Sequence, residues 1–251
     1  NTDEFLKLFM KSFILTNNSI TTQIKSLKIN INGINESVDV EELKRFRIEE
    51  VSIPSELTKA QKEEIAKKKT SVYTNPDLLL KITNGIDEFF ESVELKSTKD
   101  NNIPGSSIQQ VSPLEWVIFV KRNYKDTEVS IGHYINCITE KLPFPDRSPR
   151  PQIGYKTLKE WNSRNRVNKF DSLEITINGE ETETKKQILL DWQDYLASEW
   201  LKIIKQKSTK NSERWFNNAL RKYTIKLLEY TSTINDKERE ELTKKLKSLI
   251  K

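Results

Sequence analysis

Cysteine and histidine are almost absent from this chain. Cys137 and His133 each occur once in 251 residues. This excludes a disulfide framework and a Cys/His zinc site built by this chain alone. It also disfavours a histidine-dependent nuclease mechanism, because His133 has no Asn or Cys constellation around it; it reads as a satisfied strand residue. No apolar run approaches the ~18–20 residues of a membrane span, and no secretory leader is visible. The expectation is therefore an intracellular, cytoplasmic protein that does not engage a membrane. Internal repeats and low-complexity segments are missing as well.

What the sequence has in quantity is charge. Lys and Arg number 42 against 37 Asp and Glu, for a net charge of +5 and a pI near 9.0. That balance is compatible with a polyanionic partner. The length allows one sizeable domain, with or without a small appendage. We expect a single domain over 1–251, with its core at about 40–140 and a helical C-terminal part from about 186 to 251.

The informative stretch is Thr74 to Arg122. Asp77–Ile82 (DLLLKI) is an apolar run of strand length. Asn84-Gly85 follows, the dipeptide that favours positive φ at both central positions of a type I′ turn. A two-residue turn there sets Thr83 opposite Ile86 and Asp77 opposite Ser92. Glu94 and Lys96 then share the face of Asp77, with Glu94 a diagonal neighbour at roughly 7–8 Å. Two carboxylates so placed can converge on one hard cation, and Lys96 stands one step further along the face. Mg²⁺ prefers such oxygens and keeps waters for substrate and nucleophile. An ammonium beside it can orient the water or stabilise developing phosphorane charge. Glu91 falls on the face assigned to the core with Val93 and Leu95, which a β-bulge would alter.

Pro76-Asp77, sixteen intervening residues and then Glu94-Leu95-Lys96 resemble the PD-(D/E)XK nuclease superfamily, and within it a type II restriction endonuclease. The resemblance implies a restriction-endonuclease-like α/β fold, a central mixed β-sheet flanked by helices. It implies Mg²⁺-dependent, sequence-specific hydrolysis of double-stranded DNA leaving 5′-phosphates, usually by a homodimer. Asp77 and Glu94 would be metal ligands, with the Leu95 carbonyl a third oxygen, and Lys96 would orient the water. Many such nucleases add a helical acid, for which Glu50 or Glu64 would be the counterpart here. The same triplet pattern occurs at Glu42-Leu43-Lys44 and Glu183-Thr184-Lys185, but only the Glu94 copy follows a Pro-Asp strand and precedes an apolar strand, Trp116–Val120. Three alternatives stay open. One is another nuclease of the superfamily, acting in repair, on structures or as a nickase. Another is a non-catalytic DNA-binding protein. The third is an ordinary solvent-facing hairpin with surface pairs such as Lys81 and Glu88.

The rest of the chain supplies the setting. Asn1–Thr16 has helical apolar spacing, Leu27–Ile34 reads as a strand or irregular hairpin, and Val40–Val51 and Thr58–Lys69 read as polar helices. Thr58 with Gln61 forms a capping-box pattern. Ser97–Pro113 is a polar segment just past the proposed site. Its Lys99, Asn101, Asn102, Ser106, Ser107, Gln109 and Gln110 are candidates for DNA contact, since amides pair with adenine and lysine with guanine or phosphate. Glu128–Thr139 reads as a further strand. Leu142–Ile153 carries four prolines and presents Arg147 and Arg150 as candidate DNA contacts, a bland linker being the other reading. Thr157–Asn168 reads as a short basic helix in which Arg164 and Arg166 could meet phosphate. Ser172–Thr184, with another Asn-Gly at Asn178-Gly179, reads as an exposed hairpin. From Lys186 the apolar spacing is helical and fits core packing first and a dimer interface second.

Overall fold

The computed structural model of the chain describes residues 2–20, 23–68, 76–106, 112–139, 150–206 and 214–250. The chain divides into two compact units, Asn1–Trp192 and Gln193–Lys251.

The first unit is mixed α/β. In chain order it runs α1 (Thr2–Thr16), β1 (Ser26–Ile31), β2 (Ile34–Val38), α2 (Val40–Leu43), β3 (Arg47–Ser52), α3 (Lys59–Lys68), β4 (Leu78–Thr83) and β5 (Glu88–Thr98). Then follow β6 (Asn102–Pro104), β7 (Trp116–Arg122), β8 (Thr127–His133), a 3₁₀ turn at Tyr134–Cys137, β9 (Gln152–Gly154), α4 (Tyr155–Asn165), β10 (Arg166–Lys169), β11 (Ser172–Ile177) and α5 (Gly179–Leu190). The central sheet has the order β3-β4-β5-β7-β8. Only β5 and β7 run parallel; the other neighbours are antiparallel. A second mixed sheet, β10-β11-β1-β2, and a short antiparallel β6-β9 pair complete the strands among the described residues.

β7 is apolar at nearly every position because both faces of the central sheet are covered. Val93, Leu95, Ile118 and Val120 pack with Met10 of α1 on one face. Val117 and Phe119 pack with Tyr134, Tyr155 and Leu158 on the other, under α4. Each fully buried side chain of this kind contributes ~1.5–3 kcal/mol, so β5 is clamped where Glu94 and Lys96 project.

Several expectations change. The Asn84-Gly85 turn is a four-residue loop. Thr83 pairs with Glu88 rather than Ile86, and of its residues only Gly85 has positive φ, at 90°. The Asn84 side chain makes the loop by accepting from the Ile86 and Asp87 N–H groups, an Asx turn. The two-residue turn with positive φ at both positions lies at Asn32-Gly33, at 52° and 86°, joining β1 to β2. Val40–Val51 is helical only to Leu43. Its second half is the edge strand β3, held to β4 by backbone pairing and by Lys81, which bridges Glu49 at 2.8 Å and Glu88 at 2.9 Å. Cross-strand pairing outweighs helix propensity there. The bulge lies in β3, between Ile48 and Glu50; β5 keeps its register past Glu91. Asn178-Gly179 makes no hairpin: Asn178 caps α5 by accepting from the Glu181 N–H. The capping box expected at Thr58 and Gln61 is present in both directions.

The second unit contains α6 (Trp192–Lys205) from Gln193 onward, α7 (Arg214–Thr233) and α8 (Asp236–Leu249). Trp200 packs against Phe216, and the Arg221 guanidinium donates to the Ile203 and Gln206 carbonyls. The apolar stripes do not all become core: Trp215, Tyr223 and Leu228 are more than half exposed, and α8 buries no residue. No helix among the described residues is long and apolar enough to cross a membrane.

Candidate functional site

The observed register differs from the expected one at the hairpin's open end. The ladder ends with Leu78 paired to Val93, so continuing it by one step would set Asp77 opposite Glu94 rather than opposite Ser92. Asp77 turns its carboxylate to the strand edge, where Oδ2 accepts the Leu95 N–H at 2.8 Å. The N–H and C=O of a strand residue point to the same edge, so the Leu95 carbonyl faces Asp77 too.

Glu94 and Lys96 form the other half. Lys96 Nζ lies 2.5 Å from Glu94 Oε1, with the two side chains 15% and 13% exposed. Lys96 also donates to Ser106 Oγ at 2.8 Å, and the Ser106 hydroxyl donates to Glu94 Oε1. The three groups close a triangle. Lys96 has three N–H donors; two serve this triangle, and the third is the one that can meet water or a phosphate oxygen.

Ser106 is itself held. Its N–H donates to the hydroxyl of Tyr134 at 3.1 Å, and the preceding Gly105 N–H donates to the Pro151 carbonyl at 2.7 Å. A Cβ on Gly105 would lie 2.1 Å from the Tyr134 hydroxyl and 2.8 Å from the Pro151 carbonyl oxygen. Tyr134 is wholly buried, and burial first, then the charge of Glu94, pushes its phenol well above its ordinary range. It remains a neutral, fixed hydroxyl.

Lys7 is the residue that sequence reasoning misses. From α1 it places Nζ 2.6 Å from Asp77 Oδ1. No motif marks it; the only signal is a lysine beside the core-facing stripe of the first helix. Asp77 and Glu94 thus each face an ammonium.

The donors suit a hard divalent cation. Two carboxylates and a backbone carbonyl are oxygen ligands of the type Mg²⁺ takes, with waters completing its shell. Among the described residues no three His, Cys, Asp or Glu side chains gather at one point, so the described residues would supply two carboxylates and no more. Glu50 adds nothing: it lies on β3 rather than a helix and accepts from the Ser52 hydroxyl. The Glu64 side chain lies outside the described residues.

The candidate DNA contacts are distributed unevenly. Lys99, Asn101, Asn102 and Arg150 are exposed, whereas Ser106 is drawn into the triangle. Ser107, Gln109, Gln110 and Arg147 lie outside the described residues. The Asn101 side chain accepts from Lys121 at 2.7 Å. It borders a groove with Lys121, Lys156, Lys159 and Arg164, where four cations face Glu128 and Glu160. The hydrogen bond from Lys159, then that from Tyr155, holds the Glu128 carboxyl below its ordinary range. Arg166 is not part of this surface: it is half-buried, donates to the Ile131 carbonyl at 3.1 Å and lies over the Trp161 ring. His133 packs on Trp116 with ring centroids 4.4 Å apart, and burial, with the Arg166 charge, lowers its pKa. Burial pushes the Cys137 thiol far up. In comparisons with family models, curated proteins and solved structures, nothing matches this chain.

Proposed function

We propose that this chain is a Mg²⁺-dependent endonuclease with a restriction-endonuclease-like core, most like a type II restriction endonuclease. It would cut double-stranded DNA at a specific sequence, leaving 5′-phosphates, as a homodimer that breaks both strands. The observation that carries this reading is that Asp77 accepts the N–H of Leu95, the residue between Glu94 and Lys96, which pair with each other. The mixed five-stranded sheet that holds the hairpin supports it. Mg²⁺ bound there would supply phosphate polarisation and a more acidic water. Asp77, Glu94 and the Leu95 carbonyl would provide its oxygens. Ser106 and Lys96 fix the Glu94 carboxylate, and the remaining Lys96 N–H orients the attacking water. Lys121, Lys156 and Lys159, which line the groove that Asn101 borders, would be phosphate partners.

The test is digestion of long plasmid or phage DNA with Mg²⁺, followed by sequencing of the fragment ends. Discrete recurrent ends with paired, symmetric breaks are expected; single-strand nicks or structure-dependent cuts would favour another nuclease of the superfamily. Asp77→Ala, Glu94→Ala and Lys96→Ala should each lose most cleavage and stay folded. Near-wild-type cutting by two of the three would overturn the assignment. Glu42→Ala and Glu183→Ala carry the same triplet on the exposed faces of α2 and α5 and should cut normally.

One observation favours a non-catalytic DNA-binding protein: Asp77 and Glu94 are both ion-paired, with Lys7 and Lys96, as in a purely structural network. Sequence-specific binding without Mg²⁺-dependent cleavage would select that reading.

A further inference from the structure

We infer that Lys7 is the resident cation of the Asp77 carboxylate, and that a divalent ion loads the site by displacing it, so that helix α1 sets the site's metal affinity. The inference rests on the metal-dependent reading above. Asp77 has two oxygens. The Leu95 N–H takes Oδ2 at 2.8 Å, and the Lys7 ammonium takes Oδ1 at 2.6 Å. A cation coordinated by Asp77 needs a lone pair at ~2.0–2.1 Å for Mg²⁺. An ammonium already in contact with Oδ1 would then lie within a few ångströms of a dication, and like charges at that range repel.

Lys7 can leave Asp77 only by swinging its side chain, because its helix is held. Its side chain is 25% exposed and that of Asp77 is 20% exposed. Its helix is fixed to the core through Met10, with Leu6 and Ile14 packed beside it. One turn on, Lys11 ties the same helix edge to Glu56 at 2.6 Å. The ammonium is therefore presented to Asp77 by an anchored element. Charge points the same way. Asp77, Glu94, Lys7 and Lys96 sum to zero, so the site without metal has little net attraction for a dication. An arriving phosphodiester anion supplies that attraction and meets the displaced ammonium, so metal and DNA load together.

The experiment is calorimetric titration of the full chain with Mn²⁺ in the absence of DNA, comparing wild type, Lys7→Met, Lys7→Gln, Lys7→Arg and Lys7→Met with Asp77→Asn. Circular dichroism checks that each is folded. Lys7→Met and Lys7→Gln remove the charge in two different ways, so loss of fold in one leaves the other to decide. Removal should tighten Mn²⁺ binding about tenfold, an ordinary coupling between two ligands of one group. Lys7→Arg should stay near wild type, and the double variant should lose the gain. Equal or weaker binding by both neutral variants, with wild type binding Mn²⁺, overturns the role of Lys7 and leaves the metal site standing. No Mn²⁺ binding by wild type or by either neutral variant overturns this inference, and the metal reading itself falls if Mg²⁺-dependent cleavage is absent as well.

Discussion

Ser106 shows how much one hydroxyl can organise. It accepts from Lys96 and donates to Glu94 Oε1, so both members of the ion pair are held at one oxygen. Its backbone N–H is fixed by a phenol that burial keeps neutral. Hydrogen bonds to charged groups are worth ~1.5–3 kcal/mol, and each ~1.4 kcal/mol is tenfold in rate. Ser106→Ala should therefore lower kcat by roughly one to two orders of magnitude. KM for DNA should change little, because the hydroxyl faces Glu94 and Lys96. Ser106→Thr, which keeps the hydroxyl, should recover most of the rate. Single-turnover cleavage by all three proteins checks this. If Ser106→Ala keeps the wild-type rate but loses discrimination among variant sites, the residue reads bases, as the polar composition of its segment implies. Lys7 acts at the same scale on the other carboxylate, and its consequence is read in metal affinity instead of rate.

At the scale of elements, the segment carrying Ser106 is held by close approach. Gly105 sits where a Cβ would strike the Tyr134 hydroxyl and the Pro151 carbonyl oxygen, and neither a buried ring nor a backbone oxygen yields cheaply. Gly105→Ala should lower stability by ~1–3 kcal/mol, as overpacking does. It should also lower cleavage at least as far as Ser106→Ala, because Ser106 moves with it. Urea unfolding and cleavage rates on the same preparations test both parts, and an unchanged urea midpoint would show that the clamp can relax. Elements are also where the sequence can be read, and where it cannot. Three Asn-Gly dipeptides adopt three structures, and their neighbours decide. Asn32-Gly33 lies between alternating strands and makes the tight turn. Asn84-Gly85 is followed by Ile86 and Asp87, whose N–H groups the Asn84 amide captures, lengthening the loop. Asn178-Gly179 precedes Glu180 and Glu181, acids that favour a helix N-terminus. The hairpin at 77–96 is legible because strand period and face are local. Lys7 is not, because it is remote from Asp77 in sequence and reaches it only through the packing of α1 on the central sheet, which no linear pattern records. The change of Ser106 from groove contact to site member likewise depends on Tyr134, a residue in another element.

Across the whole molecule charge is nearly balanced, with 42 basic and 37 acidic side chains. Attraction for the proposed DNA partner would therefore come from arrangement more than from net charge. The groove beside α4 is an arrangement close in chain to the site: Asn101 follows Lys96 by five residues, at most ~17 Å of extended chain. That is within a few phosphate spacings along a DNA strand. Lys121 is tied to Asn101 and Lys159 to Glu128, while Lys156 and Arg164 border the same groove. If the duplex crosses this surface, Lys156→Ala, Lys159→Ala and Arg164→Ala together should weaken binding of cognate and unrelated DNA alike. The slope of log K against log salt should flatten by about 0.9 for each phosphate no longer neutralised. Fluorescence anisotropy with a labelled duplex, on the Glu94→Ala background without Mg²⁺, measures this without cleavage. An unchanged slope with intact binding would place the phosphate partners elsewhere, with Arg150 on the exposed surface the next to test. A loss confined to the cognate duplex would instead make this groove a base-reading surface, with Asn101 and Asn102 at its edge.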